Sequence, residues 1–227
     1  MIRTCLLLAA LMGVAAMPAG ANPHDAHQPS GLTLTPAYAF PLPTPGSYRL
    51  PPIKAAAGGT LLDEAGQPRE LGGLLDGRIT IVGFVYTRCA DVCPAASLDM
   101  ARLQDRVARV GAGSSRLRLI TISFDPDHDT PAVMREYASA LRSTDPAAPE
   151  WLFLTAADRA SLAPLLAAYD QRVGRKPLPD GSPNALSHLF RGFLVDPAGK
   201  IRNIYSLDFF DPELVFTDIR SLEAERH

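Results

Sequence analysis

Ile79-Thr80-Ile81-Val82-Gly83-Phe84-Val85-Tyr86 runs directly into Thr87-Arg88-Cys89-Ala90-Asp91-Val92-Cys93-Pro94, and the class of the fold turns on how this stretch is read. The first eight residues are almost all β-branched or aromatic and do not alternate with polar ones. That is the pattern of a central strand buried on both faces. Pro94 suits the first turn of a helix, where its missing N–H would be unpaired anyway. The helix is expected to run to about Val110, with Leu98, Leu103 and Val107 on its apolar face.

Working downstream, Leu117–Phe124 (LRLITISF) reads as a second buried strand. Thr130-Pro131 opens a helix to about Leu141. Trp151–Leu154 is a third strand, and Ala157–Tyr169 a third helix despite Pro164. Phe190–Val195 and Lys200–Tyr205, joined by Asp196-Pro197-Ala198-Gly199, read as a hairpin. Asp211-Pro212 begins a last helix. Upstream, Leu61–Gly66 is a short strand and turn. The order β-α-β-α-β-α-β-β-α predicts an α/β sheet covered by helices, parallel early and closed by a late hairpin.

The chain has 227 residues, 47% hydrophobic and 20% charged, with a formal charge of −2. Such a composition excludes an acidic disordered tail and a nucleic-acid clamp. Only three of the 22 basic residues are lysines (Lys54, Lys176, Lys200), and the arginines are scattered. No polybasic run is present to bind phosphate backbones or anionic lipid. The length suits one domain with a tail. A domain of this size buries roughly 70% of its unfolded surface and needs no disulfide staple.

Met1-Ile2-Arg3 followed by the apolar Cys5–Met17 has the form of a secretory signal, well short of the roughly 20 residues that span a bilayer. Pro18 and Ala19-Gly20-Ala21 complete a cleavage region, so residues 1–21 are expected to leave, and Cys5 with them. If uncleaved, residues 5–20 would anchor the chain to a membrane. Residues 22–58 are a proline-rich leader holding Pro23, Pro29, Pro36, Pro41, Pro43, Pro45, Pro51 and Pro52. Proline fixes φ and removes a donor, so this segment is expected to be extended or disordered. His24 and His27 are either an accessory metal site or solvated side chains. Residues 59–227 form the domain. Export to the periplasm or beyond is expected, where an isolated cysteine pair tends to oxidise unless kept reduced or metal-bound.

That pair is Cys89 and Cys93, placed just past the carboxyl end of a central strand, where open α/β sheets put their ligands. Cys93 precedes a proline-started helix, whose positive end is expected to lower its thiol pKa. Two thiolates and one imidazole suit Cu(I), a soft ion that accepts low coordination. A closed zinc site would want four ligands, and there is no second cysteine pair. The mature histidines are His24, His27, His128, His188 and His227. His188, at the mouth of the late hairpin, is the best-placed third ligand. The Asp125-Pro126-Asp127-His128-Asp129 loop lacks the glycine and distal glutamate of a calcium loop, so turn formation and helix capping explain its aspartates. Asp91 either modulates the metal's charge or caps the helix. Arg88 either holds the thiolates by charge or lies solvated.

The chain resembles the Sco/SenC family of exported, thioredoxin-like copper proteins over about residues 60–222. Three motifs carry the resemblance: the strand leading into Cys89-Ala90-Asp91-Val92-Cys93-Pro94, the segment Ser123–Pro131, and Ser187-His188 ahead of Phe193–Gly199. Ala90 stands where many members have proline, and a cleavable signal with a proline leader stands where many have a membrane tether. The resemblance implies a thioredoxin-like sheet and copper bound by Cys89, Cys93 and His188. It also implies delivery of copper to, or thiol reduction of, the binuclear copper site of cytochrome c oxidase, with a thiol reductant as a further partner. Another exported copper protein is the other possible acceptor. A carrier of this kind is not an enzyme. The competing reading is an exported thiol-disulfide oxidoreductase using Cys89 and Cys93, although such enzymes use C-x-x-C and this spacing is one residue longer. A thiol peroxidase and a purely structural disulfide are the remaining readings. A loop this short removes little chain entropy, which argues against the last.

Overall fold

The structure is a computed structural model that describes residues 41–89, 92–111, 116–176 and 185–225. The chain divides into Met1–Ala39 and Phe40–His227, and the architecture below belongs to the second unit. Its strands are β1 (Lys54–Ala55), β2 (Thr60–Leu62), β3 (Pro68–Glu70), β4 (Ile79–Val85), β5 (Leu117–Ser123), β6 (Glu150–Leu154), β7 (Gly174–Lys176), β8 (Ala185–Ser187), β9 (Arg191–Val195) and β10 (Lys200–Ser206). The helices are α1 (Leu71–Leu75), α2 (Cys93–Val110), α3 (Pro131–Ser139), α4 (Arg159–Ala168) and α5 (Pro212–Ala224).

The main sheet has the order β1-β10-β9-β4-β5-β6. Strands β4, β5 and β6 are parallel, with Val85 opposite Ser123 and Ile122 opposite Leu154. Strand β9 runs antiparallel to β4, pairing Gly83 with Gly192. Every residue of β4 and β5 is buried, which is why β4 shows no apolar–polar alternation, while β5 buries Arg118, Thr121 and Ser123 along with its apolar residues. The pleat still sorts them. Ile79 and Ile81 face a core layer with Met100, Leu103, Ile219 and Leu222 of α2 and α5. Val82 and Phe84 face the opposite layer with Leu71, Leu162 and Leu165 of α1 and α4.

The hairpin forms as expected. Gly199 takes φ +70 at its turn, and Asp196 Oδ1 accepts from the amides of Ala198 and Lys200. Thr130 caps α3 through Val133 N–H. Asp158 and Ser161 make a reciprocal capping box at α4, which carries Pro164 in its interior.

Two expectations change. Leu98 is 47% exposed, while Ala96, Met100, Leu103 and Val107 make the buried stripe of α2. At about 100° per residue, Leu98 lies nearly opposite Met100 and cannot share its face. The final part of the expected leader is also not a free linker. Lys54 and Ala55 pair with β10, Tyr48 bonds Asp218, and Gly46 N–H donates to Ser221. Paired backbone and filled side-chain partners override the local proline content. No helix among the described residues is long and apolar enough to cross a membrane.

Candidate metal centre

Strand β4 ends at Val85 and α2 begins at Cys93, so Tyr86–Val92 form the connection at the carboxyl edge of the parallel strands. Cys93 is the first helical residue and is only 1% exposed, whereas Cys89 is partly exposed. The Cys93 backbone N–H donates to Cys89 Sγ over 3.3 Å, so one orphan donor of the helix N-terminus is given to the other cysteine. That bond makes the two cysteines close neighbours. Burial pushes the Cys93 thiol well up, and the neighbouring Cys89 thiol adds to the rise. This corrects the expectation of a lowered value. The helix end is present, but desolvation of a fully enclosed sulfur outweighs it.

Tyr86 joins this group. Its hydroxyl donates to the Leu186 carbonyl at 2.9 Å. Burial and the adjacent sulfurs push its pKa up to about 12. The Tyr86 ring lies 5.1 Å from the Phe124 ring, and Phe124 lies 4.5 Å from the His188 imidazole.

His188 follows β8 and precedes β9, the strand hydrogen-bonded to β4. It therefore reaches the same sheet end as the cysteines. Its Nε2 is 2.9 Å from Gln171 Oε1, and its Nδ1 is buried with no hydrogen-bond partner. Burial, with the nearby Arg191 charge, pushes its pKa down to about 4, so the ring is neutral at pH 7 and Nδ1 or Nε2 carries a lone pair. Among the described residues, no three His, Cys, Asp or Glu side chains converge into one group able to hold a metal. The structure thus brings Cys89 and Cys93 together, and links His188 to them through Tyr86 and Phe124 without closing a three-ligand cluster.

The aspartate loop does more than turn. Asp129 is fully buried and accepts from Thr87 N–H at 3.0 Å, Thr87 hydroxyl at 2.6 Å and Ser123 hydroxyl at 2.5 Å. His128 Nδ1 lies 3.0 Å away. Asp129 therefore fastens the cysteine connection to the end of β5. Asp125 is equally buried and takes ion pairs from Arg88 at 2.6 Å and Arg159 at 3.3 Å, so Arg88 is committed to a carboxylate. Sequence reasoning passed over Tyr86, Asp129 and Gln171 as site residues. The buried-strand position of Tyr86 and the proximity of Asp129 to the end of a strand were the available signals. Asp91, His24, His27, His227 and the expected signal segment lie outside the described residues.

The SCO1/SenC family profile matches residues 57–223, nearly all of the unit just described. The chain belongs to the SCO1/SenC family. Its relatives include the SCO1 protein homolog of Bacillus subtilis, 26% identical over 133 residues. That match spans 58% of this chain and 64% of the relative, so the chain aligns with less than two thirds of the relative's length. Among solved structures, Bradyrhizobium japonicum ScoI with copper bound is 26% identical, with a TM-score of 0.58 over 76% of this chain and 98% of that one. Arabidopsis thaliana ScoI with copper bound has a TM-score of 0.61 at 19% identity, again over 76% and 98%. The fold of this SCO1/SenC member is the thioredoxin-like α/β fold of those proteins, as the motifs implied.

Proposed function

We propose that this protein is an exported copper carrier. It takes a single copper ion on Cys89, Cys93 and His188 and hands it to the binuclear copper site of cytochrome c oxidase, or reduces the thiols of that site. The observation that carries this reading is a pair of cysteines joined by the Cys93 N–H···Sγ Cys89 bond at the carboxyl end of β4, the same sheet end that a neutral imidazole reaches with its Nδ1 buried and without a partner. Two soft sulfurs and an imidazole nitrogen fit Cu(I), and the copper-loaded Bradyrhizobium relative supports the choice of metal.

Copper is cargo here. Cys89, the more accessible sulfur, is the first to meet it. Cys93 must give up a proton that its burial holds tightly, so loading releases protons and weakens at low pH. Release follows by ligand exchange, with an acceptor's donors replacing the sulfurs one at a time. The signal-like residues 1–21 support a periplasmic location, and the proline-rich residues 22–58 a leader whose last part is docked on the domain.

The asymmetry of the pair favours one competing reading, a thiol-disulfide oxidoreductase. Partly exposed Cys89 would attack a partner disulfide, and buried Cys93 would resolve the mixed disulfide, leaving two partner thiols and a Cys89–Cys93 disulfide. His188 has no place in that scheme. Metal analysis of the reduced protein with Cys89→Ser, Cys93→Ser and His188→Ala separates the two. One copper per wild-type chain, lost or loosened in each variant, supports the carrier. Unchanged stoichiometry and affinity in all three rejects it.

A further inference from the structure

Helix α4 ends in a motif that fixes a residue not yet given a role. Asp170 has the left-handed φ of +51. Asp170 N–H donates to the Ala167 carbonyl at 3.1 Å and Gln171 N–H to the Leu166 carbonyl at 2.8 Å. This is the double closure of a Schellman turn, built on an aspartate where glycine is commoner. The left-handed residue is held from two sides. Lys54 of β1 bonds the Asp170 carboxylate at 2.7 Å and the Ala168 carbonyl at 2.8 Å, and Arg191 donates to the Asp170 carbonyl at 2.8 Å. The turn delivers Gln171, 7% exposed, against His188.

The hydrogen bonds assign every atom of the contact. Gln171 Nε2 lies 3.0 Å from the Tyr169 carbonyl, which can only accept. The amide nitrogen is therefore turned to Tyr169 and the amide oxygen to His188. That oxygen also only accepts, so His188 Nε2 carries the proton. In the neutral ring the lone pair then sits on Nδ1, the buried atom with no partner. The Phe124 ring on the imidazole face limits its tilt.

We propose that Gln171 is a positioning residue for His188: it selects the Nε2-protonated tautomer and holds the ring so that Nδ1 is the atom offered to copper. The proposal rests on the copper-carrier reading. It gives this chain an outer-shell amide in the position that metal-site histidines usually fill with a carboxylate, carbonyl or water. An amide oxygen fixes the tautomer without adding a third negative charge to the two thiolates.

The test needs no metal for its first part. In the reduced metal-free protein, ¹⁵N shifts of the His188 ring should report a single Nε2–H tautomer at pH 7. Gln171→Met, which keeps the length and loses the acceptor, should give a mixture of tautomers. Cu(I) affinity of the full chain, measured by competition with a chromophoric chelator, should fall about 10-fold or more in Gln171→Met, while its urea midpoint shows whether it is folded. An Nδ1–H tautomer in the wild type overturns the proposal whatever the variant does. A Gln171→Met affinity within twofold of wild type overturns it too, and a higher affinity would make Gln171 a latch that withholds the ring. His188→Ala is measured alongside. If it binds Cu(I) as tightly as wild type, the carrier reading fails, whereas loss in His188→Ala with no change in Gln171→Met leaves that reading standing and removes only Gln171.

Discussion

Replacing Asp129 tests how the cysteine connection is held. The carboxylate is fully buried and meets Thr87 N–H, Thr87 hydroxyl, Ser123 hydroxyl and His128 Nδ1. In Asp129→Ala the two hydroxyls can rotate toward other acceptors, but Thr87 N–H cannot move. An orphaned buried donor costs about 1–3 kcal/mol, and charge-assisted bonds add roughly 1.5–3 kcal/mol each without summing fully. The expected loss is about 3–5 kcal/mol. For a domain of this size each kcal/mol is worth roughly 2–4 °C, so the melting temperature should fall by about 6–20 °C. Asp129→Asn behaves differently. Its oxygen can take the Oδ2 place facing Thr87 N–H and Ser123, and its NH₂ can donate to the Thr87 hydroxyl and the His128 ring. Its cost should stay below about 2 kcal/mol. Urea denaturation gives the stability, and labelling of the reduced native protein gives thiol exposure. Asp129→Ala should also speed labelling of Cys93, since the loop loses its anchor to β5. An alanine variant within 1 kcal/mol of wild type, with unaltered labelling, would refute the account of the loop.

Three further outcomes are expected. Alanine at Gly192 would set its Cβ 2.6 Å from the ring of Phe210, a buried side chain packed on Phe190 and Tyr205. Gly192→Ala should therefore cost about 1–3 kcal/mol, read from the urea midpoint. His188 is neutral in the folded state down to about pH 4, whereas the unfolded chain takes up its proton near 6.5. Stability of the metal-free protein should therefore be intact above about pH 6.5 and decline as pH falls toward 4, by at most about 3 kcal/mol. Urea midpoints across that range should lose this component in His188→Gln. Cys93 has the opposite dependence: its raised pKa means the unfolded thiol ionises first, so its contribution is lost as pH climbs past about 9, and Cys93→Ser should flatten that limb.

The main sheet was readable from sequence because its evidence is long and local. Ile79–Tyr86 and Leu117–Phe124 are long runs rich in β-branched and aromatic residues, and Pro94, Thr130-Pro131 and Asp211-Pro212 mark helix starts by backbone chemistry alone. The ribbons β2–β3 and β7–β8 have strands of three residues each, too short to carry a period. Strand β1 was hidden in proline-rich sequence because what orders it is β10, far along the chain. The site divides the same way. Cys89, Cys93 and His188 announce themselves by residue type. Asp129 and Gln171 do not, because each acts through a fold-dependent contact: Asp129 reaches Thr87 from the loop after β5, and Gln171 reaches His188 across the β7–β8 ribbon. The Cys93 thiol shows the limit of local rules. A helix start can be read from sequence, but the enclosure that outweighs it comes only from packing.

The copper-carrier proposal requires two sulfurs and one imidazole of this chain to share a single copper ion, and X-ray absorption of the reduced, Cu(I)-loaded protein counts those donors. Two sulfur scatterers and one nitrogen scatterer are expected, with the nitrogen lost in His188→Ala. A sulfur-only shell, or a nitrogen that persists in His188→Ala, rules the three-donor site out.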